Sequence, residues 1–196
     1  MTTVATIVEG DGEVAAVPVL LRRLGIWLTP DRYVTVLPPL RVRRDQFLNK
    51  PDVFARMLHL AAQKCTSQGW VLVLLDADDD CPALLADDIG RRAAAIIPGT
   101  RLSVVLPNRE FEAWFIAAAG SLNGHRHFSY NGVAPEADAV RGAKEWISEK
   151  ISGGRYRPIL DQPAFCASMN LDEAFNNSRS FKKLCGEWQK QAVLPA

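Results

Sequence analysis

Hydrophobic positions follow two rhythms along this chain. Short runs of strand-forming residues stand at Val4 to Val8, Tyr33 to Leu37, Trp70 to Leu75 and Arg101 to Leu106. Between them, apolar residues recur three and four apart, as a buried stripe on a helix requires. Val14, Val17, Leu20, Leu21 and Leu24 predict a helix from about Gly12 to Leu24, with Gly25 as its stop. Phe54, Met57, Leu58 and Ala61 predict a second over Asp52 to Lys64, and Ala83 to Ile97 reads as a third. Glu110 to Ala118 reads as a fourth, whose stripe of Phe111, Trp114, Phe115 and Ala118 makes Trp114 a core residue rather than a base-stacking platform. WVLVLL, Trp70 to Leu75, is apolar without alternation, the pattern of a strand buried on both faces. Strands alternating with helices at this spacing predict an α/β fold with a mostly parallel sheet over residues 1–119. Beyond Gly120 the rhythm changes. Ser121 to Ala134 is polar and turn-rich, Glu136 to Ile151 reads as helical, Ser152 to Arg157 as a loop, and Asp172 to Gln191 as one or two final helices. Residues 120–196 are expected to form a helical cap or extension of the same domain.

Composition narrows this picture without redirecting it. The chain has 196 residues, 48% hydrophobic and 23% charged, enough for one domain with a sizeable core. No apolar run approaches the roughly 18 residues that span a bilayer. The amino terminus lacks the basic region and cleavage site of an export signal, so the cytoplasm is the expected compartment and no membrane partner is expected. Cys65, Cys81, Cys166 and Cys185 are widely spaced and form no C-x-x-C pair, which argues against a disulfide or zinc scaffold. A net charge of +1 advertises no global attraction to nucleic acid. Charge is patterned locally instead. Arg41, Arg43 and Arg44 stand together in RVRRD, and Arg179, Lys182 and Lys183 near the carboxyl terminus. Both groups are candidates for backbone phosphates; the plainer reading is solvated surface charge.

The chemistry lies in the acids. In VATIVEGDGE, Glu9 stands directly behind the first strand and Glu13 four residues later; in LVLLDADDD, Asp76 ends the third strand. Loops leaving the carboxyl ends of parallel strands form the ligand crevice of such sheets. In an extended segment Asp76 and Asp78 point the same way. Carboxylates so gathered repel one another unless a cation sits among them, and an all-oxygen set suits magnesium or manganese rather than zinc. The candidate ligands are Glu9, Glu13, Asp76, Asp78, Asp80 and Glu110, with Glu112 behind them. Each has a structural alternative. Glu13 would suit the first turn of a helix, Asp79 and Asp80 would solvate the turn before Pro82, and Asn108 would cap a helix with Glu110 in its first turn. His125 and His127 in GHRHF read as solvated loop residues. No nucleophilic triad, G-x-G-x-x-G or Walker pattern is present. A phosphate-receiver domain would need an acidic pair after the first strand, where Glu9 is followed by glycine.

Strand-Glu-Gly-helix followed by strand-Asp-x-Asp is similar to the Toprim fold of topoisomerases, primases, recombination proteins and overcoming-lysogenization-defect nucleases. VEGDGE, DADDD and NREFEAWF, in that order, resemble a small bacterial family catalogued as domain-of-unknown-function family 4276. The resemblance covers about 1–119 well and the remainder loosely. It implies cleavage of phosphodiester bonds in DNA or RNA with Mg2+ or Mn2+ as cofactor. Glu9, Asp76 and Asp78 would be catalytic and hold the principal metal, with Glu13 and Glu110 helping with a second. One ion would make a nucleophile of its bound water and the other would stabilise the leaving oxygen. Such sites often carry a basic residue, for which Arg109 is the one candidate. Genes of the family often lie beside ATPase genes in apparent defence operons, which implies an anti-phage role. The expected partners are nucleic acid, an ATPase protein and further copies of the chain. The alternative is a non-catalytic, metal-binding regulatory or effector subunit that acts with the ATPase. A magnesium phosphohydrolase of small phosphoesters, with residues 120–196 as a lid, is a third reading.

Overall fold

The computed structural model describes residues 2–133 and 135–193. Five strands form one sheet: β1 (Thr2–Val8), β2 (Val34–Val36), β3 (Leu40–Arg41), β4 (Trp70–Leu74) and β5 (Arg101–Val105). The order is β2-β1-β4-β5, with β3 also pairing with β1, and every pair is parallel. β1 and β4 are therefore central neighbours. The second strand is broken where Pro38 and Pro39 have no N–H to give to a ladder. The chain leaves β1 at Val36 and rejoins it at Leu40, opposite Ile7, with Val42 N donating to Val8 O at 2.8 Å. That return delivers the basic segment Arg41 to Arg44 to the carboxyl end of β1.

Both faces of the sheet are covered, which is why β4 shows no alternation in sequence. Trp70, Leu72 and Leu74 face one apolar cluster with Val4, Val8, Leu20 and Phe165; Val71, Val73 and Leu75 face the other with Ile7, Phe54, Leu58 and Ile89. The second face is built by α2 (Arg44–Asn49), α3 (Pro51–Lys64) and α4 (Pro82–Ile96). The first carries α1 (Asp11–Leu28) and α5 (Ala113–Ala117), then α6 (Ala143–Ser148), α7 (Pro158–Ser168), α8 (Leu171–Asn177) and α9 (Arg179–Val193). Residues beyond 120 thus supply much of one core face: α7 packs along α1, and α9 against β5 and α1. None of the described helices is long and apolar enough to cross a membrane.

Four local expectations are corrected. Gly25 does not stop the first helix, which runs to Leu28; a Cβ at Gly25 would stand 3.2 Å from the Trp188 ring, so the glycine is a seat for that indole. Asn108 is no N-cap: its amide donates to Asp138 O, and helix geometry begins only at Ala113 after a turn through Glu110. The helix expected over Glu136 to Ile151 is a 3-10 turn at Ala137–Ala139 and then α6, separated by Gly142 in the left-handed region at φ 68°. α7 has no counterpart in the sequence reading, because Pro163 inside it masks the pattern. Of the expected features, Ala134 and residues 194–196 fall outside the described residues.

Candidate functional site

Register brings the acids to one edge. Ile7 pairs with Val73, so Glu9 stands two residues past the pair and Asp76 three, on adjacent strands. The DADDD segment is held from two directions. Ala77 N donates to Pro107 O at 3.1 Å and Asp78 N to Arg109 O at 3.0 Å, tying it to the loop after β5. Asp78 and Arg109 both take positive φ, 52° and 68°; aspartate tolerates this region, but for arginine it is uncommon and the surrounding bonds must maintain it. From the start of α2, Arg44 donates to Asp76 O at 2.8 Å and Ala77 O at 3.1 Å, and pairs with Asp78 and Asp80. Its guanidinium fork buckles the loop, a geometry an ammonium does not reproduce.

The interior of the edge is a buried carboxylate cluster. Glu13, in the first turn of α1, turns back so that its Oε2 accepts from Glu9 N at 3.0 Å. Asp76 is buried and its Oδ1 accepts from Phe111 N at 2.7 Å. Glu112 is fully buried, with Oε1 accepting from Gln162 Nε2 at 2.8 Å. Into this group projects Lys144, at the start of α6. Its Nζ lies 3.1 Å from Glu110 Oε2, 3.4 Å from Glu112 Oε2 and 3.9 Å from Asp76 Oδ2.

Protonation follows from this crowding. Burial pushes the Glu13 carboxyl up to about 7, with the charges of Glu112 and Glu9 adding to the effect. Asp76 is raised by burial, then by Glu13 and Glu112. Glu9, half buried, is raised by desolvation and by Asp78. Burial alone would lower Lys144, but Glu112, Asp76 and Glu110 override it and hold the ammonium charged. Burial raises the Tyr156 phenol beside Glu112. The hydrogen bonding is incomplete: Glu112 Oε2, Gln162 Oε1 and the Tyr156 hydroxyl are buried without a well-formed hydrogen bond, the phenol standing close enough to Glu112 to interact with it. Buried oxygens in that state call for an explanation, and a bound cation is one.

The expected residues divide into three groups. Glu9, Glu13, Asp76, Asp78 and Glu110 reach the same edge, and Asp80 joins them through Arg44. Arg41 donates to Glu9 O at 3.2 Å and pairs with Asp11, and Arg43 is exposed beside it. Arg179 and Lys183 line a separate cleft along β5 with Val104, Leu106 and Cys81, while Lys182 lies over the Phe175 ring. Arg109 is turned to Asp79, which it shares with Arg141. Lys144, not Arg109, is the basic residue among the buried acids. No signal announced it, because a lone lysine in a stretch read as helical, Glu136 to Ile151, looks like surface charge; Glu112 was visible only as the second acid of REFE. His125 and His127 are exposed, and Trp114 is core with its indole N–H donating to Ser180 Oγ at 2.9 Å. The four cysteines are free.

An all-oxygen, partly buried set of carboxylates has the donor chemistry of a Mg2+ or Mn2+ site. As they stand, no three His, Cys, Asp or Glu side chains among the described residues converge closely enough to hold an ion. Asp76, Glu110 and Glu112 converge on an ammonium instead. Fold and site together define an α/β protein with a parallel sheet and a lysine-centred acidic site at its strand ends. The chain matches the family described as "Domain of unknown function (DUF4276)" over residues 8–188 and belongs to it. No curated protein and no solved structure matches the chain.

Proposed function

We propose that the protein is a divalent-metal-dependent, Toprim-type nuclease that cleaves phosphodiester bonds of DNA or RNA, as part of an anti-phage system. The observation that carries the reading is the pairing of β1 with β4, which joins Glu9 to the D-x-D of Asp76 and Asp78. Glu9, Asp76 and Asp78 would hold the metal. Bound there, Mg2+ or Mn2+ supplies Lewis acidity and a water that ionises near neutral pH. The chain's own residues do the rest. Arg44 keeps the Asp76–Asp80 loop in shape, and Glu13 stabilises the turn after β1 by accepting from Glu9 N. Arg41 and Arg43, exposed beside Glu9, suit backbone phosphates, a contact without sequence information. Arg179, Lys182 and Lys183 on α9 are a second candidate contact.

The test is incubation of the purified protein with plasmid, linear DNA and RNA in Mg2+, Mn2+ or chelator, beside the Asp76→Ala/Asp78→Ala double variant. The expected result is metal-dependent cleavage that the double variant loses by at least about 100-fold, the scale of removing charge-stabilising groups from an active site. A second reading, a non-catalytic subunit working through an ATPase, is favoured by one observation: Lys144 already neutralises part of the cluster from within the chain. Folded protein that cleaves none of the three substrates in either metal would move the conclusion there.

A further inference from the structure

Lys144 has a claim on one ligand of the proposed metal, Asp76, and on the two acids that stand beside it. Glu110 Oε2, Glu112 Oε2 and Asp76 Oδ2 stand around the ammonium at 3.1, 3.4 and 3.9 Å. Glu112 Oε2 has no well-formed hydrogen bond, so the Lys144 ion pair, with the neighbouring Tyr156 phenol, compensates it in a residue with no exposed surface. A buried carboxylate left unpaired is strongly destabilising, which gives the lysine a folding role in the metal-free chain. A divalent ion on these oxygens would sit about 2.0–2.2 Å from each and leave no room for an ammonium at the same point. Two cations held a few ångströms apart in a poorly screened pocket also repel strongly. The lysine has a way out: its side chain is 40% exposed, and it stands two residues after Gly142, whose left-handed φ breaks the chain before α6.

We propose that Lys144 is a tethered counter-ion that competes with a divalent cation for Asp76, Glu110 and Glu112, so that loading the metal requires the ammonium to swing out. The site is then held folded by its own cation until metal arrives, and Glu112 becomes a ligand only in the loaded state. This rests on the metal-dependent reading above.

Calorimetric titration of Mn2+ into the full chain tests it, with the wild type, Lys144→Met and Lys144→Arg compared, and melting temperatures recorded in chelator and in Mn2+. The expected result is that Lys144→Met binds Mn2+ at least about 10-fold tighter than wild type. It should melt lower in chelator and gain more from Mn2+, while Lys144→Arg stays near wild type. If Lys144→Met cannot be recovered folded, Lys144→Met/Glu112→Gln removes one charge of each sign and should bind Mn2+ tighter than Glu112→Gln alone. Wild type that binds Mn2+ no less tightly than the lysine-free variant overturns the competition and leaves the metal reading standing. Absence of Mn2+ binding in every variant overturns both.

Discussion

At the scale of single residues, burial decides which acids carry charge. Glu13 is the clearest case. Its carboxyl, raised from 4.5 to about 7, binds a proton in the folded chain that the unfolded chain has already released between those pH values. The folded state then holds more protons, so stability falls as pH rises from about 4.5 to 7 and changes little above. Glu13→Gln keeps an acceptor for Glu9 N but removes the titration. In chelator, urea unfolding at pH 5 and pH 8 should show the variant losing less stability between the two than wild type, by up to about 3 kcal/mol. Equal losses would show that Glu13 is charged in the fold. Asp76 is shifted in the same direction, so some slope persists in the variant. Glu9, Glu13, Asp76, Asp78 and Glu110 were legible as candidates because strand ends are read from local pattern. Their protonation was not, because it depends on which carboxylates meet across the sheet.

At the scale of elements, two glycines of α1 do opposite work. Gly12 stands where α1 meets α7: a Cβ there would lie 2.7 Å from Pro158 O and run into Gln162, the residue that holds Glu112. Backbone cannot give way as a side-chain end can, and forced overpacking costs about 1–3 kcal/mol. Gly25 faces only the rim of Trp188 at 3.2 Å, where a shift of a few tenths of an ångström suffices, and alanine is the better helix former by about 1 kcal/mol. Gly12→Ala should therefore lower the denaturation midpoint clearly, and Gly25→Ala should leave it within about 1 kcal/mol of wild type or raise it. The reverse order, measured by urea unfolding, would mean that α7 does not seat on the amino end of α1. The sequence suggested a stop at Gly25 because glycine commonly ends helices; here an indole 163 positions further along uses the space.

At the scale of the molecule, the segment after residue 120 is structural as well as adjacent to the site. Phe165, Phe181, Leu184 and Trp188 lie in the same apolar cluster as Val4, Leu20 and Leu72. Trp188 stacks edge-on against Trp70 at 5.6 Å and its indole N–H donates to Thr29 at 3.0 Å. A chain cut after Ala119 would keep α1 and α5 but expose what α7 and α9 bury, namely the outer side of α1 and the part of this face around Trp70 and β5. Expressed alone, residues 1–119 should fail to give a sharp cooperative unfolding transition, by calorimetry or by near-ultraviolet circular dichroism on heating. A native-like transition would make 120–196 dispensable to the fold.

The sequence by itself determined the parallel α/β alternation, the doubly buried strand at Trp70 and the acids at the strand ends. Each of these follows from the spacing of neighbours along the chain, which periods of 2 and 3.6 expose. Only the tertiary structure decided what those acids face. It broke the second strand at the two prolines and so brought Arg44 onto the Asp76 loop. It seated α7, hidden by Pro163, against Gly12, and it carried Lys144, which in sequence is one more charge on a helical stretch, into the carboxylate cluster. Charge pairing acts through space, and the partner of a buried acid leaves no mark on the residues beside it in sequence.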